Sequence, residues 1–201
     1  MGSELDVIVV GGGAAGMFSA GTAAGFSARV LLLERNRELG KKLRITGKGR
    51  CNVCNDCTRE EVLAQVPTGG RFLYSALDGF PPEAAKAFFA AQGVPLKTER
   101  GSRVFPVSDR AGDVVDALSG WVRRQGVAVR QGRVSRLLFQ DGAVVGVEAQ
   151  GARYYAPKVI LATGGMSYPA TGSTGDGYDL ARQAGHTITP LSGSLVPLEV
   201  E

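Results

Sequence analysis

Two short, nearly continuous apolar runs open the chain, at residues 5–10 (LDVIVV) and 29–33 (RVLLL). Apolar runs of this length are typical of strands that are buried on both faces of a parallel sheet. A stretch of mainly small residues lies between them and is predicted to form a helix over 14–24. The three segments predict a β–α–β unit with a right-handed crossover.

Helical spacing of apolar residues recurs in the middle of the chain, at residues 59–66, 82–92 and 109–125. The second of these segments begins with proline and is followed by glycine, which are start and stop signals of a helix. Residues 103–107 (RVFPV) are predicted to be extended, and residues 127–130 to form a short strand. Residues 35–56 are predicted as a loop.

The pattern changes to alternation of apolar and polar residues at 134–155, which predicts antiparallel strands. Asp141-Gly142 lies within this region and favours a type I′ hairpin turn. A buried strand over 158–162, a helix over 176–184 and an apolar, strand-like end over 194–201 complete the chain. The order of elements predicts an α/β fold with a parallel central sheet and an antiparallel β-meander.

Composition changes this picture little, except for glycine. The chain has 201 residues and 29 glycines, which cluster at predicted strand ends, where a backbone can turn tightly or approach a ligand. The net charge is +4, the basic residues are spread along the chain, and no nucleic-acid-binding motif is present. The N-terminus lacks the features of a signal peptide or membrane span. We therefore expect a cytoplasmic protein that binds neither nucleic acid nor membrane.

The first candidate site is the turn GGGAAG at residues 11–16, which follows a predicted strand and opens a predicted helix. In this G-x-G-x-x-G pattern Gly11 allows the tight turn, Gly13 lets the backbone approach a pyrophosphate, and Gly16 lets helix and strand pack closely. The unpaired N–H groups at the helix start favour a bound anion. Glu34, at the end of the second strand, can accept hydrogen bonds from ribose hydroxyls. The pattern predicts a bound dinucleotide and does not separate NAD from FAD.

The second candidate site is VILATGGMSYPATGSTGDGY at residues 159–178, where a buried strand runs into a polar, glycine-rich loop. Ligands of doubly wound sheets bind at the carboxyl ends of the strands. This loop is therefore expected to approach the same cofactor as the first glycine turn.

All three cysteines lie in one basic stretch, KKLRITGKGRCNVCNDC at residues 41–57. The spacing of Cys51, Cys54 and Cys57 copies part of a ferredoxin ligand run, but that run needs a fourth cysteine. A zinc site with three cysteines would have to recruit His186, which is distant in sequence. We therefore expect no metal site, and we interpret Cys54 and Cys57 as small loop residues.

Four motifs together resemble a known family: GGGAAG with Glu34, GKKLRITGKGRCNV at 40–53, RVFPVSDRA at 103–111 and ATGGMSYPATGSTGDGY at 162–178. They are similar, in order along the chain, to the bacterial aminoacetone-oxidase/BaiN-like FAD-dependent oxidoreductases. The resemblance implies a Rossmann-like FAD-binding domain of the two-dinucleotide-binding-domain flavoprotein type. FAD is the implied cofactor, a small molecule the implied substrate, and NAD(P)H a candidate electron donor.

The resemblance also implies which residues contact the cofactor. The pyrophosphate would be held by Gly11, Gly13, Ala14, Ala15 and Gly16, and the adenosine ribose by Glu34, with Arg35 and Lys42 nearby. The remaining contacts would come from Gly49, Arg50, Cys51 and Asn52 toward the flavin, from the backbone of Val134 at the adenine, and from Ala162, Thr163 and Gly164 on the far side of FAD.

The chain departs from the family pattern at Lys48, where members usually have glycine, and family members continue into an inserted, substrate-side domain. Residues 1–190 are therefore expected to form the FAD-binding domain, and residues 191–201 to begin the second domain. The expected function is a flavoprotein oxidoreductase, either an NAD(P)H-dependent reductase or an amine oxidase, and no catalytic side chain is predicted. The alternatives are a fumarate-reductase-type flavoprotein fragment, an NAD-dependent dehydrogenase, and a non-catalytic FAD- or nucleotide-binding module.

Overall fold

The structure is a computed structural model, and it describes residues 5–193. In chain order its elements are β1 (Val7–Val10), α1 (Ala14–Gly25), β2 (Val30–Glu34), β3 (Cys54–Asn55), α2 (Arg59–Ala64), α3 (Tyr74–Gly79), α4 (Pro82–Ala91), β4 (Leu96–Glu99), β5 (Arg103–Pro106), α5 (Ala111–Arg124), β6 (Ala128–Gln131), β7 (Val134–Gln140), β8 (Ala143–Ala149), β9 (Ala152–Tyr155), β10 (Lys158–Leu161) and α6 (Asp176–Gln183). Short 3₁₀ segments lie at Leu43–Gly49, Gly70–Leu73 and Pro169–Thr171.

The central sheet has four parallel strands in the order β10-β1-β2-β6. Every residue of β2 is buried, which explains why its sequence is a continuous apolar run rather than an alternating one. Because the strands are parallel, β1, β2 and β10 bring their carboxyl ends, at Val10, Glu34 and Leu161, to one edge of the sheet. The predicted α/β fold with a parallel central sheet is confirmed.

Apolar layers cover both faces of this sheet. Val9 packs on one face against Met17 of α1 and Val122 of α5. On the other face, Ile8 packs in a cluster with Val147 of the meander. Full burial of each such side chain contributes about 1.5–3 kcal/mol relative to an exposed one. The sheet is therefore held between a helical layer and the meander, and its carboxyl edge keeps a fixed position.

The meander consists of β7, β8 and β9 in an antiparallel sheet. The turn between β7 and β8 has φ of 50° at Asp141 and 76° at Gly142. Both values lie in the left-handed region that a type I′ turn requires, so the predicted hairpin is confirmed.

A third sheet, in the order β3-β5-β4, was predicted only at its central strand. Strand β3 has two residues and β4 is the partly polar LKTE, so neither carries an alternating apolar pattern. The prediction of a loop over 35–56 is wrong at β3 and at the 3₁₀ segment Leu43–Gly49. Helix α3 was also missed, because its six residues, YSALDG, show little helical spacing of apolar residues and no side chain caps its N-terminus.

The remaining predicted helices are present, with ends shifted by one or two residues. Helix α5 begins at Ala111 rather than at 109, because Asp109 has φ of 56° and cannot belong to a right-handed helix. Within residues 5–193, no helix combines the length and apolar character needed to cross a membrane. The strand-like end predicted at 194–201 lies outside the described residues.

Candidate functional site

A cavity of about 300 Å³ lies at the carboxyl ends of β1, β2 and β10, and we call it the first cavity. Its walls come from four distant parts of the chain, within residues 10–15, 33–46, 132–134 and 162–176. Ligands of open parallel sheets bind at this edge, where the backbone leaves the strands. The fold therefore brings the two glycine-rich motifs to one site.

The glycine turn between β1 and α1 leaves little room for side chains at two of its positions. A Cβ atom on Gly16 would lie 1.7 Å from the carbonyl oxygen of Gly11, and one on Gly11 would lie 2.5 Å from that of Ala162. Gly11 also has φ of 105°, in the region that favours glycine. At Gly13, by contrast, a Cβ atom would meet no heavy atom within 4 Å. Gly13 therefore borders open space, whereas Gly11 and Gly16 hold the turn against its neighbours.

Helix α1 starts at this open position, and none of its own side chains satisfies the free N–H groups or offsets the positive dipole at its N-terminus. No side chain caps its N-terminus at Gly13, and its first turn contains no acidic residue. The first N–H groups of a helix and the positive end of its dipole attract anions. The N-terminus of α1 therefore presents a binding surface for a phosphate group to the first cavity.

Glu34 ties the glycine turn to the end of β2. Its side chain is 8% exposed, and its Oε2 accepts the backbone N–H of Gly12 at 2.6 Å. Its Oε1 accepts the backbone N–H and the side-chain amide of Asn36 at 2.7 and 2.6 Å. These contacts fix the shape of the cavity wall, and the ribose contact assigned to Glu34 stays a prediction.

A charged cluster closes the side of the first cavity near α6. Asp176 accepts hydrogen bonds from Arg133 at 2.8 and 3.1 Å, from Thr174 at 2.7 Å and from Arg35 at 3.3 Å. The hydrogen bonds from Arg133, followed by those from Thr174 and the charge of Arg35, hold the pKa of Asp176 below its ordinary value. This cluster joins the end of β2 to the starts of α6 and β7, so three separate segments form one wall.

A second cavity, of about 590 Å³, adjoins the first and shares Lys42 and Thr46 with it. The Nζ atom of Lys42 donates to the backbone oxygen and to Oγ of Ser167, at 2.7 and 3.2 Å. This contact links the basic loop to the loop that follows β10. The first cavity therefore continues toward the surface formed by residues 45–50.

Arg50 lines this second cavity and is held from two directions. Its guanidinium lies 4.0 Å from the ring centroid of Phe105, and its Nη1 donates to Glu99 at 3.0 Å and to Asp109 at 3.3 Å. Lys97 also bonds Asp109, at 2.6 Å, and lies 3.3 Å from Glu99. The hydrogen bond to Glu99 raises the pKa of Arg50, and the one from Lys97 lowers the pKa of Asp109. The carboxylates of Glu99 and Asp109, which Lys97 holds in place, thus fix the orientation of Arg50.

Most of the residues assigned to the cofactor meet at the first cavity. Its lining includes Gly11, Gly13, Ala14, Ala15, Glu34, Arg35, Lys42, Val134, Ala162, Thr163 and Gly164. Gly16 lies in the packed turn beside it. Their contacts with a cofactor stay predictions, but the fold places them where such contacts are possible.

Four assigned residues lie away from the first cavity. Arg50 lines the second cavity, and Gly49 and Asn52 are exposed. Cys51 is 1% exposed, packs with Val94, Ala111 and Val114, and lines neither cavity. Burial raises the pKa of its thiol, so Cys51 behaves as a small core residue.

Several residues at the first cavity were not named as cofactor contacts from the sequence. Lys41, Gly172, Ser173 and Asp176 lie within the predicted motifs, whereas Asn36, Gly132 and Arg133 lie outside them. Asp176 lies in the second glycine-rich motif and Arg133 precedes Val134, so each had a neighbouring signal. Asn36 carries no such signal, because only its hydrogen bonds to Glu34 reveal its position.

The three cysteines are separate from the first cavity, although Lys41, Lys42 and Thr46 of the same stretch line it. Cys54 and Cys57 line an open cavity of about 770 Å³ next to α2 and α4. Among residues 5–193, no cluster of three or more His, Cys, Asp or Glu side chains has the arrangement of metal ligands. Burial raises the pKa of the Cys54 thiol, which makes it a weak nucleophile near neutral pH.

Comparisons with known proteins agree with this architecture. The HI0933-like protein Rossmann domain family matches residues 5–199. A relative from Clostridium scindens, "3-dehydro-bile acid delta(4,6)-reductase", is 37% identical over 96% of this chain and 47% of its own length. The "ribosomal RNA dihydrouridine synthase" of Escherichia coli is 30% identical over 96% of this chain and 48% of its own length. The chain thus spans about half the length of these curated relatives.

A solved structure with the same fold is the 3-ketosteroid-delta4-(5alpha)-dehydrogenase of Rhodococcus jostii RHA1 in complex with 4-androstene-3,17-dione. It superposes with a TM-score of 0.69 at 20% identity, over 90% of this chain and 54% of the other. At this identity the likeness establishes the fold alone.

Proposed function

Because the chain belongs to the HI0933-like protein Rossmann domain family, as its motifs indicated, we propose that it forms the FAD-binding part of a flavoprotein oxidoreductase. The observation that carries this proposal is the uncapped N-terminus of α1 at the first cavity, beside the open space at Gly13. A dinucleotide pyrophosphate has the charge and the backbone access that this arrangement serves.

The first cavity has the types of residue that bind FAD, namely free backbone N–H groups and a lysine for the phosphates. Gly13, Ala14 and Ala15 would hold the pyrophosphate through their backbone, and Lys42 would add positive charge beside it. Glu34 and Val134 border the part of the cavity that would take the adenosine end. When bound, FAD supplies the electron transfer, and the protein binds the cofactor, orients it and keeps competing reactions away.

We propose further that the reaction saturates a carbon–carbon double bond, with NADH or NADPH as the electron source. The names of both curated relatives describe such a saturation, one in a bile acid and one in uridine. Amine oxidation is the second candidate, and its support is the motif resemblance alone. Family membership also favours a flavoprotein oxidoreductase of this family over a fragment of the fumarate-reductase type, and over a nucleotide-binding module without activity.

Titration of the purified chain with FAD tests this proposal, with flavin absorbance and a gel-filtration step as readouts. We expect one FAD to be retained per chain, and NAD⁺ at the same concentration not to displace it. Retention of NAD⁺ in place of FAD would favour the dehydrogenase alternative, and retention of neither would contradict the proposal. Bleaching of the bound flavin by NADH or NADPH without oxygen would then separate a reductase from an inert binder.

A further inference from the structure

The second cavity has walls of one charge sign. Its lining contains the four cations Lys42, Lys48, Arg50 and Arg103, and it contains no carboxylate. Four like charges around one cavity repel each other unless a counterion or ligand of opposite charge is present. The cavity therefore favours an anion.

The charges of these cations are not compensated to the same degree. Arg50 is paired with Glu99 and Asp109, outside the lining of the cavity. Among residues 5–193, neither Lys48 nor Arg103 forms an ion pair with a carboxylate. Lys42 forms no such ion pair in this part of the chain either, but its Nζ already donates to Ser167. Lys48 and Arg103 thus supply the excess positive charge that is not engaged within the wall, whereas Arg50 is a fixed part of the wall.

Lys48 adds an independent observation, because its backbone is in an unfavourable conformation. Its φ and ψ are 57° and 42°, in the left-handed region, between two glycines that also have positive φ. A side chain other than glycine costs about 1–2 kcal/mol in this conformation. A lysine therefore occupies a position whose backbone conformation favours glycine. Backbone strain of this kind is concentrated at functional sites.

Apolar surface accompanies the charge. Phe105, Ile45 and Tyr168 also line the second cavity, and Phe105 is 2% exposed and therefore rigidly held. A ligand that matches this lining has an apolar, planar body and an anionic group at one end. Inorganic anions match the charge but leave the apolar walls uncovered.

We propose that the second cavity binds the substrate of the flavin site, and that this substrate is an organic oxyanion with an apolar body, recognised by Lys48 and Arg103. The proposal rests on the proposed function, because the second cavity adjoins the first at Lys42 and Thr46. The oxyanion is a carboxylate or a phosphate ester, which both present negatively charged oxygens to a lysine and an arginine.

The test uses three probes with one aromatic body: 2-naphthoate, 2-naphthyl phosphate and the uncharged 2-naphthamide. Calorimetric titration of the FAD-loaded chain should show at least about tenfold tighter binding of one of the anions than of the amide, and that preference should weaken as salt is added. Which of the two anions binds more tightly identifies the head group. Equal affinity for the anions and the amide would overturn the proposal.

Variants assign the recognition to Lys48. Lys48→Asn keeps a residue that tolerates the left-handed conformation and removes the charge, so it should weaken anion binding about threefold to tenfold. Lys48→Arg should retain the affinity. Lys158→Asn is the matched control, because Lys158 is exposed at the start of β10, at the opposite edge of the central sheet. Equal losses in Lys48→Asn and Lys158→Asn would contradict the proposal.

The same titrations on the chain without FAD keep the two proposals separate. Anion binding that depends on Lys48 in a chain that does not retain FAD would support the anion site and contradict the cofactor assignment. FAD retention without a preference for the anions would contradict the anion site and leave the cofactor assignment standing.

Discussion

Glu34 and Gly12 are joined by a 2.6 Å hydrogen bond from the Gly12 N–H to the Glu34 carboxylate, between the end of β2 and the turn after β1. The same carboxylate accepts both hydrogen bonds from Asn36, so one buried side chain sets the shape of the turn and of the residues that follow β2. A residue assigned to cofactor recognition from its position in the sequence thus also has a structural role in the protein itself.

Glu34→Gln should therefore lower both stability and FAD affinity. An amide replaces one acceptor with a donor, which leaves the Gly12 N–H or the Asn36 N–H groups without a partner and costs about 1–3 kcal/mol. Urea denaturation measures the first effect and FAD titration the second. Glu38→Gln is the matched control, because Glu38 is exposed and lies four residues further along the chain. A Glu34→Gln protein with unchanged stability would contradict the role assigned to these hydrogen bonds.

Gly13→Ala and Gly16→Ala should separate binding from folding. The added methyl group at Gly13 meets no heavy atom within 4 Å, so stability should change by less than about 1 kcal/mol. The methyl group occupies space beside the helix N-terminus, so FAD affinity should fall at least about tenfold. At Gly16 the methyl group would lie 1.7 Å from a backbone oxygen, and the protein should lose about 3 kcal/mol of stability. Thermal unfolding and FAD titration of both variants check this contrast, which equal stability losses would contradict.

Elements whose signals lie close together in the sequence were predicted, and elements that depend on contacts between distant residues were missed. The unit β1-α1-β2 was predicted because its signals are local: two buried strands, a glycine turn and a helix of small residues within thirty residues of sequence. The sheet β3-β5-β4 was missed because its pairing joins Cys54 to Val104, and neither outer strand carries its own pattern.

The candidate site divides in the same way. Gly11 and Gly13 were predicted from a turn whose backbone requirements are written in adjacent residues. The cluster around Asp176 was missed, because its contact with Arg133 joins residues 43 positions apart through the arrangement of β7 and α6. Cys51 was assigned to the cofactor because it lies within a motif of the family. Its side chain packs in a buried cluster with Ala111 and Val114 of α5.

Lys48→Gly should raise stability while it lowers anion affinity. Glycine removes the cost of a left-handed lysine, about 1–2 kcal/mol, and part of that gain is lost because glycine makes the unfolded chain more flexible. We expect a net gain of up to about 1 kcal/mol in urea denaturation. Ser27→Gly is the control, because Ser27 is exposed, has φ of 65° and lies in the turn after α1. It should show the same gain without any change in anion binding, and a destabilised Lys48→Gly protein would contradict the strain at this position.

Replacement of Cys54 and Cys57 together by alanine should leave the FAD content unchanged, because both line a separate cavity beside α2 and α4. Arg50→Ala should lower it, because this change removes the guanidinium from Phe105 and leaves Glu99 and Asp109 with Lys97 as their remaining partner. Flavin absorbance per mole of purified protein measures both effects. A loss of FAD in the cysteine variant, with unchanged FAD content in Arg50→Ala, would show that the cysteines rather than Arg50 are the functional residues of the segment 41–57.

The cluster of Arg50, Lys97, Glu99 and Asp109 should make stability sensitive to acid. The hydrogen bond from Lys97 lowers the pKa of Asp109, and those from Arg50 and Lys97 lower that of Glu99 although partial burial acts in the opposite direction. A carboxylate with a lowered pKa stabilises the folded state fully at pH values above its ordinary pKa, which is 3.8 for Asp109 and 4.5 for Glu99. This contribution is lost as the pH falls from the ordinary pKa through the lower pKa of the folded state.

Urea midpoints should therefore stay level from about pH 7 to pH 5.5 and fall below about pH 4.5. Asp109→Asn should be less stable than the natural protein at pH 7, and the difference should shrink as the pH falls, because both proteins then lack the charge at position 109. Asp141→Asn is the control, since Asp141 lies in the exposed turn between β7 and β8, where asparagine also accepts positive φ. Its stability should follow that of the natural protein at every pH. An Asp109→Asn deficit that does not shrink between pH 7 and pH 3 would show that Asp109 acts through its shape rather than its charge.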